Sequence, residues 1–66
     1  MKKIVIENWR LYGDYMLFAN LVDKTKKWIL LESTSSSITA TGGEDALQDF
    51  SKLLEENNIK FTSNEN

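Results

Sequence analysis

A chain of 66 residues with no cysteine and no histidine has to hold itself together by burying apolar side chains. Neither a disulfide nor a thiolate or imidazole metal site is available as a staple. By size scaling the unfolded chain exposes roughly 11,000 Å² and the folded one about 4,300 Å². If about 60% of that difference is apolar, its burial contributes on the order of 100 kcal/mol. Ordering the backbone and side chains costs about the same. Nearly every apolar residue, 41% of the chain, is therefore needed inside the fold or against a partner. The same two absences restrict chemistry: a Ser-His-Asp triad, a Cys-His pair and an ordinary zinc site are all excluded.

The first half of the sequence reads as strands. Residues 3–12 are rich in β-branched and aromatic side chains. Gly13-Asp14 suits a two-residue hairpin turn, and residues 15–23 continue as a second strand. Lys24 to Lys27 form the next turn, residues 28–33 a third strand, Thr34 to Ser37 a polar loop, and Ile38 to Thr41 a short fourth strand. Near residue 42 the hydrophobic period changes from 2 to 3.6. Ala46, Leu47, Phe50, Leu53 and Leu54 then form one helical stripe. Gly42-Gly43 punctuates the entry, Glu44 and Asp45 suit the positive end of the helix dipole, and Asn57-Asn58 is a stop signal. The helix is predicted over about 44–57. Ile59 and Phe61 fold back on the sheet in an extended segment. The expected fold class is α+β: a three- or four-stranded antiparallel β-meander followed by one C-terminal amphipathic helix packed on the sheet. Residues 1–61 form one small domain and residues 62–66 a polar disordered tail.

In that register Tyr12 pairs with Tyr15, Trp9 with Phe18, Val5 with Val22, and Val22 with Ile29. Alternation then makes both faces of the sheet largely apolar, with seventeen apolar side chains between them. One helix covers only one face. Two readings stay open: the sheet curls into a small half-open barrel, or its second face meets another chain. The second leads to a homodimer, the simplest way for one sequence to bury such a patch. Trp9, Tyr12, Tyr15 and Trp28 would supply much of the contact. Arg10, Lys26 and Lys27 complete the candidate partner-binding set, since Trp, Tyr and Arg are typical interface anchors.

Other constellations read more simply. Asp45 and Asp49, spaced i, i+4, could ligate a divalent cation, but a solvated acidic helix face is the expected reading, and no calcium-loop pattern is present. Gly42-Gly43 lacks the lysine of a phosphate loop. Ser35 to Ser37 has no base to activate it. Glu7 and Glu32 would pair only if adjacent strands brought them together. No metal or other cofactor is expected, and no catalytic residues are assigned.

The net charge is −2, unlike the strongly basic balance of nucleic-acid binders. It is unevenly spread: six basic and three acidic residues in 1–31, two and seven in 32–66. Trp9, Arg10, Tyr12, Lys24, Lys26, Lys27 and Trp28 nevertheless keep an alternative open, a small-ligand, nucleotide or single-strand binder that stacks bases on the sheet. No apolar run reaches the length of a membrane span, and Lys2 to Ile6 is too short for a signal peptide, so a cytoplasmic protein is expected. The compact layout and the Lys-, Asn- and Ile-rich vocabulary resemble, in style and composition, short proteins of phages and mobile elements. That resemblance implies a protein that inhibits or adapts another macromolecule by binding it.

Overall fold

The computed structural model describes residues 2–65; Met1 of the expected domain and Asn66 of the expected tail lie outside them. Strand β1 spans Lys2–Glu7, followed by a 3-10 turn at Trp9–Leu11 and helix α1 at Tyr15–Thr25. Strands β2 (Ile29–Ser33) and β3 (Ser37–Gly42) form a hairpin, α2 covers Glu44–Glu56, and β4 covers Thr62–Glu65. The sheet is antiparallel throughout, in the order β2-β3-β1-β4. The molecule is thus α+β, and its βαββαβ order is the split βαβ, or ferredoxin-like, arrangement.

The main correction falls on residues 15–23, read from sequence as a strand and found as α1. Phe18, Leu21, Val22 and Thr25 lie at i, i+3, i+4 and i+7, a helical stripe within a run apolar on almost every side. Asp14 is the N-cap, its carboxylate accepting the Leu17 N–H at 3.3 Å. Gly13, at φ 154°, supplies the backbone bend before it. Lys26 ends the helix in the left-handed region at φ 56°. The Gly13-Asp14 hairpin and the pairings Tyr12–Tyr15, Val5–Val22 and Val22–Ile29 therefore do not form. Trp9 and Phe18 do meet, as an edge-to-face pair with centroids 6.2 Å apart, but from a 3-10 turn and a helix.

With α1 removed from the sheet, only one sheet face is apolar. Ile4, Ile6, Ile29, Ile38 and Ala40 are buried on the side that also receives Phe18, Leu21, Ala46, Leu47, Phe50 and Leu54. The other face carries Lys3, Val5, Glu7, Leu30, Glu32, Thr39 and Thr41 by alternation, none of them buried. The doubly apolar sheet does not exist, and the sheet stays open, ending at β2 and β4, rather than closing as a half-barrel. The accessible surface, 4323 Å², equals that expected for a folded monomer of this mass.

Helix α2 matches its sequence reading. Its C-terminus is a Schellman motif: Ile59 N–H donates to Leu54 C=O at 2.9 Å and Asn58 N–H to Glu55 C=O at 3.1 Å. Asn58 takes φ 59° and Ile59 is buried. Thr62–Glu65, expected to fray, instead pairs with Lys2–Val5 as β4.

Candidate functional site

The fold separates the sequence-predicted contact residues into two groups. Trp9 is only 7% exposed. Its indole N–H donates to Thr34 C=O at 2.9 Å, tying the 3-10 turn to the β2–β3 turn, and the Arg10 guanidinium lies 5.2 Å from its ring centroid. Tyr12 is half-buried against the core, its hydroxyl accepting the Lys60 N–H at 3.3 Å. Both side chains serve the fold, so the bulk of Trp9 is not presented to a partner.

Tyr15 and Trp28, by contrast, come together at the surface. Helix α1 packs chiefly on α2, which leaves an open cleft between α1 and β2. Tyr15, Ala19, Val22 and Asp23 line it from the helix, and Trp28, Ile29, Leu30 and Leu31 from the strand. Trp28 is 72% exposed, Leu30 46% and Tyr15 38%. Met16, 59% exposed, extends the patch, since it lies three residues from Ala19 on α1. Gly42 shapes this corner. A Cβ there would stand 3.0 Å from the Trp28 carbonyl oxygen and 3.5 Å from Ile29 Cγ1, so any larger residue would press the chain at Trp28 away from β3.

The cleft runs beside an unpaired strand edge. Thr34 N–H donates to Ser37 C=O at 2.8 Å across the hairpin. By alternation the backbone groups of Leu30 and Glu32 then face β3, and those of Ile29, Leu31 and Ser33 face outward. The two sheet edges differ in character. Edge β4 is Thr-Ser-Asn-Glu, polar and four residues long, the blunted kind that soluble proteins use to discourage pairing. Edge β2 is Ile-Leu-Leu-Glu-Ser preceded by Trp28, without proline or an inward-pointing charge. Leu30, Met16 and Ala19 were missed from sequence because residues 15–23, read as a strand, would have covered this edge.

The lysines divide too. Lys26 is exposed at the end of α1. Lys27 reaches α2, with Nζ 2.7 Å from Asp49 Oδ2 and 3.5 Å from Asp45 Oδ2. The hydrogen bond from Lys27 lowers the Asp49 pKa, and the same bond raises that of Lys27. The i, i+4 carboxylates that might have held a metal thus hold an ammonium. Glu7 and Glu32 are kept apart by β3, which lies between their strands, a separation of about 10 Å from strand spacing alone. Among the described residues no group of three or more His, Cys, Asp or Glu side chains could hold a metal ion, and no helix is long and apolar enough to cross a membrane.

The central strands β1 and β3 present Lys3, Val5, Glu7, Ser37, Thr39 and Thr41 on the open face, with no aromatic ring for base stacking. A separate cleft of about 170 Å³ between α2 and β4, lined by Leu47, Gln48, Phe61 and Ser63 among others, is smaller than ordinary small-molecule sites. The chain matches no protein-family model, and no curated protein is significantly similar to it in sequence.

Proposed function

We propose that this chain is a small, non-enzymatic protein-binding module, a cytoplasmic inhibitor or adaptor of the kind found in phages and mobile elements. It engages another polypeptide at the α1–β2 edge. The fold itself favours no activity, because the split βαβ arrangement carries many. The observation that carries the reading is the large exposed tryptophan, Trp28, beside exposed Leu30 on a strand whose outer hydrogen-bonding groups have no partner strand among the described residues. A polypeptide docking there gains main-chain hydrogen bonds from Ile29, Leu31 and Ser33 and an apolar seat in the cleft, the strand-addition mode of recognition. Tyr15 and Trp28, with two side-chain torsions each, supply contact area at low entropic cost. The polar, ring-free central sheet favours this reading over nucleotide stacking.

The test compares the wild-type chain with Trp28→Asp/Leu30→Asp, each immobilised and exposed to host extract at low and high salt. Polypeptides retained by wild type are identified by mass spectrometry and their dissociation constants measured against both forms. Apolar docking is expected to survive salt and to weaken at least tenfold in the variant. Equal affinity for both forms, or retention of nucleic acid lost steeply with salt, refutes the proposal.

A further inference from the structure

We infer, resting on that reading, that the strand added to β2 is β2 of a second copy of this chain, paired antiparallel about a two-fold axis perpendicular to the sheet. The two edges contrast in chemistry: β4 is polar throughout, whereas β2 opens on three apolar residues, Ile29, Leu30 and Leu31. A persistently open apolar edge is an aggregation hazard, and a closed symmetric pair removes it using only this chain.

The charge of the segment that leads into β2 is opposite to that near the strand's far end. The chain approaches the strand through exposed Lys24 and Lys26 and carries exposed Glu32 near its far end. Lys27 is already engaged with Asp49. Antiparallel pairing brings the basic end of each copy toward the acidic end of the other, and opposite charges across strands are favourable.

Hydrogen bonding and side-chain chemistry then select the register. The outward groups at Ile29, Leu31 and Ser33 allow centres at successive residues of the strand. A centre at Glu32 sets like charges opposite each other, and a centre at Leu31 sets Leu30 opposite the partner's Glu32. A centre at Ile29 would pair Leu30 and Leu31 with Trp28 and Lys27, which lie outside the strand. A centre at Leu30 keeps the pairing within the strand and separates the two Glu32 carboxylates, each of which then lies across from the partner's Trp28. Ile29 and the partner's Leu31 exchange hydrogen bonds, as do Leu31 and the partner's Ile29. Leu30 faces the partner's Leu30 at a non-hydrogen-bonded site, where Cα atoms stand about 4.5 Å apart.

The same axis leaves both helical layers on one side of a continuous eight-stranded sheet. The two α1–β2 clefts meet across the seam, so that Tyr15, Ala19 and Trp28 of each copy face those of the other. Trp28 alone exposes on the order of 150 Å². With Tyr15, Met16 and Leu30 the patch is on the order of 400 Å² per copy, the size at which exposed apolar surface marks an interface. Two such patches and two strand edges reach the roughly 1,000 Å² that a specific interface requires.

The absence of cysteine makes the register directly measurable in the full chain. Under mild oxidation Leu30→Cys is expected to form an intermolecular disulfide, while Glu32→Cys and Thr62→Cys, the latter on the opposite edge, remain thiols. Sedimentation of the wild type should give twice the 7.6 kDa chain mass. Leu30→Asp, at an exposed position, should keep the circular dichroism spectrum and weaken association at least tenfold. A 7.6 kDa species at high micromolar concentration, or a dimer that cross-links through Glu32→Cys or Thr62→Cys, overturns the inference. A wild-type monomer that still binds another polypeptide through Trp28 and Leu30 overturns it while leaving the protein-binding proposal standing. A dimer indifferent to Leu30→Asp also overturns it, because association then uses another surface.

Discussion

Replacing Trp9 by phenylalanine tests whether the core is assembled as described. The substitution keeps a ring against Phe18 but removes the indole N–H that donates to Thr34 C=O at 2.9 Å. Losing that bond and leaving the carbonyl partly desolvated costs about 1 kcal/mol. The smaller ring leaves unfilled volume in the core, costing about 1 kcal/mol more, and the stack with Arg10 weakens slightly. The total, about 2 kcal/mol, is a large share of the roughly 3–10 kcal/mol available to a domain of this length. With a urea dependence of about 1 kcal/mol per molar for so small a chain, the midpoint should fall by about 2 M. Trp28→Phe is the control. At 72% exposure it should change stability by no more than about 0.5 kcal/mol, measured at low micromolar concentration so that self-association does not contribute. Urea titration followed by circular dichroism gives both numbers. Fluorescence gives an independent check, because Trp28→Phe should leave only blue-shifted, poorly quenched emission from Trp9. Equal midpoints for the two variants, or ready quenching of Trp9 by iodide, would refute the placement of these two side chains.

Asp14→Ala should cost about 1 kcal/mol by removing the cap on the Leu17 N–H, seen as a lower urea midpoint; an unchanged midpoint would argue against α1. Gly42→Ala should destabilise by about 1–3 kcal/mol, because its Cβ would press on the Trp28 carbonyl 3.0 Å away, and hydrogen exchange should show β2 loosening first. Asp49 should titrate below the ordinary aspartate value of 3.8 because Lys27 hydrogen-bonds its charged form. A depressed carboxyl pKa stabilises the fold above the unfolded-state value, and that contribution is lost as pH falls through the folded-state value. Lys27→Met should move the Asp49 midpoint upward by NMR and remove this part of the acid sensitivity.

Helix α2 was legible in the sequence because every local signal agreed. Five apolar residues form a single stripe, acidic residues open the helix and Asn57-Asn58 closes it. The β2–β3 hairpin was legible as short apolar runs separated by a polar turn, and β1 only in part: the strand read over residues 3–12 ends at Glu7, and Trp9–Leu11 turn as a 3-10 helix. Residues 15–25 were not, because a run apolar on nearly all sides satisfies a period of 2 and a period of 3.6 equally well. The local cue at the boundary, Asp14, does not decide between them, because its carboxylate is equally at home in a hairpin turn and at a helix N-cap. What settles it is tertiary. The helix places Phe18 and Leu21 in the core and lets β1 pair with β3, which a meander would forbid. β4 has no apolar pattern at all; Thr62–Glu65 becomes a strand because the edge of β1 offers it a ladder of hydrogen bonds. The candidate site divides in the same way. The sequence named Tyr15 and Trp28 as aromatic surface anchors, but a strand edge exists only once the strand order is fixed. Leu30 and the outer edge of β2 therefore became visible only in the folded chain, where β3 pairs one side of β2 and no strand among the described residues pairs the other.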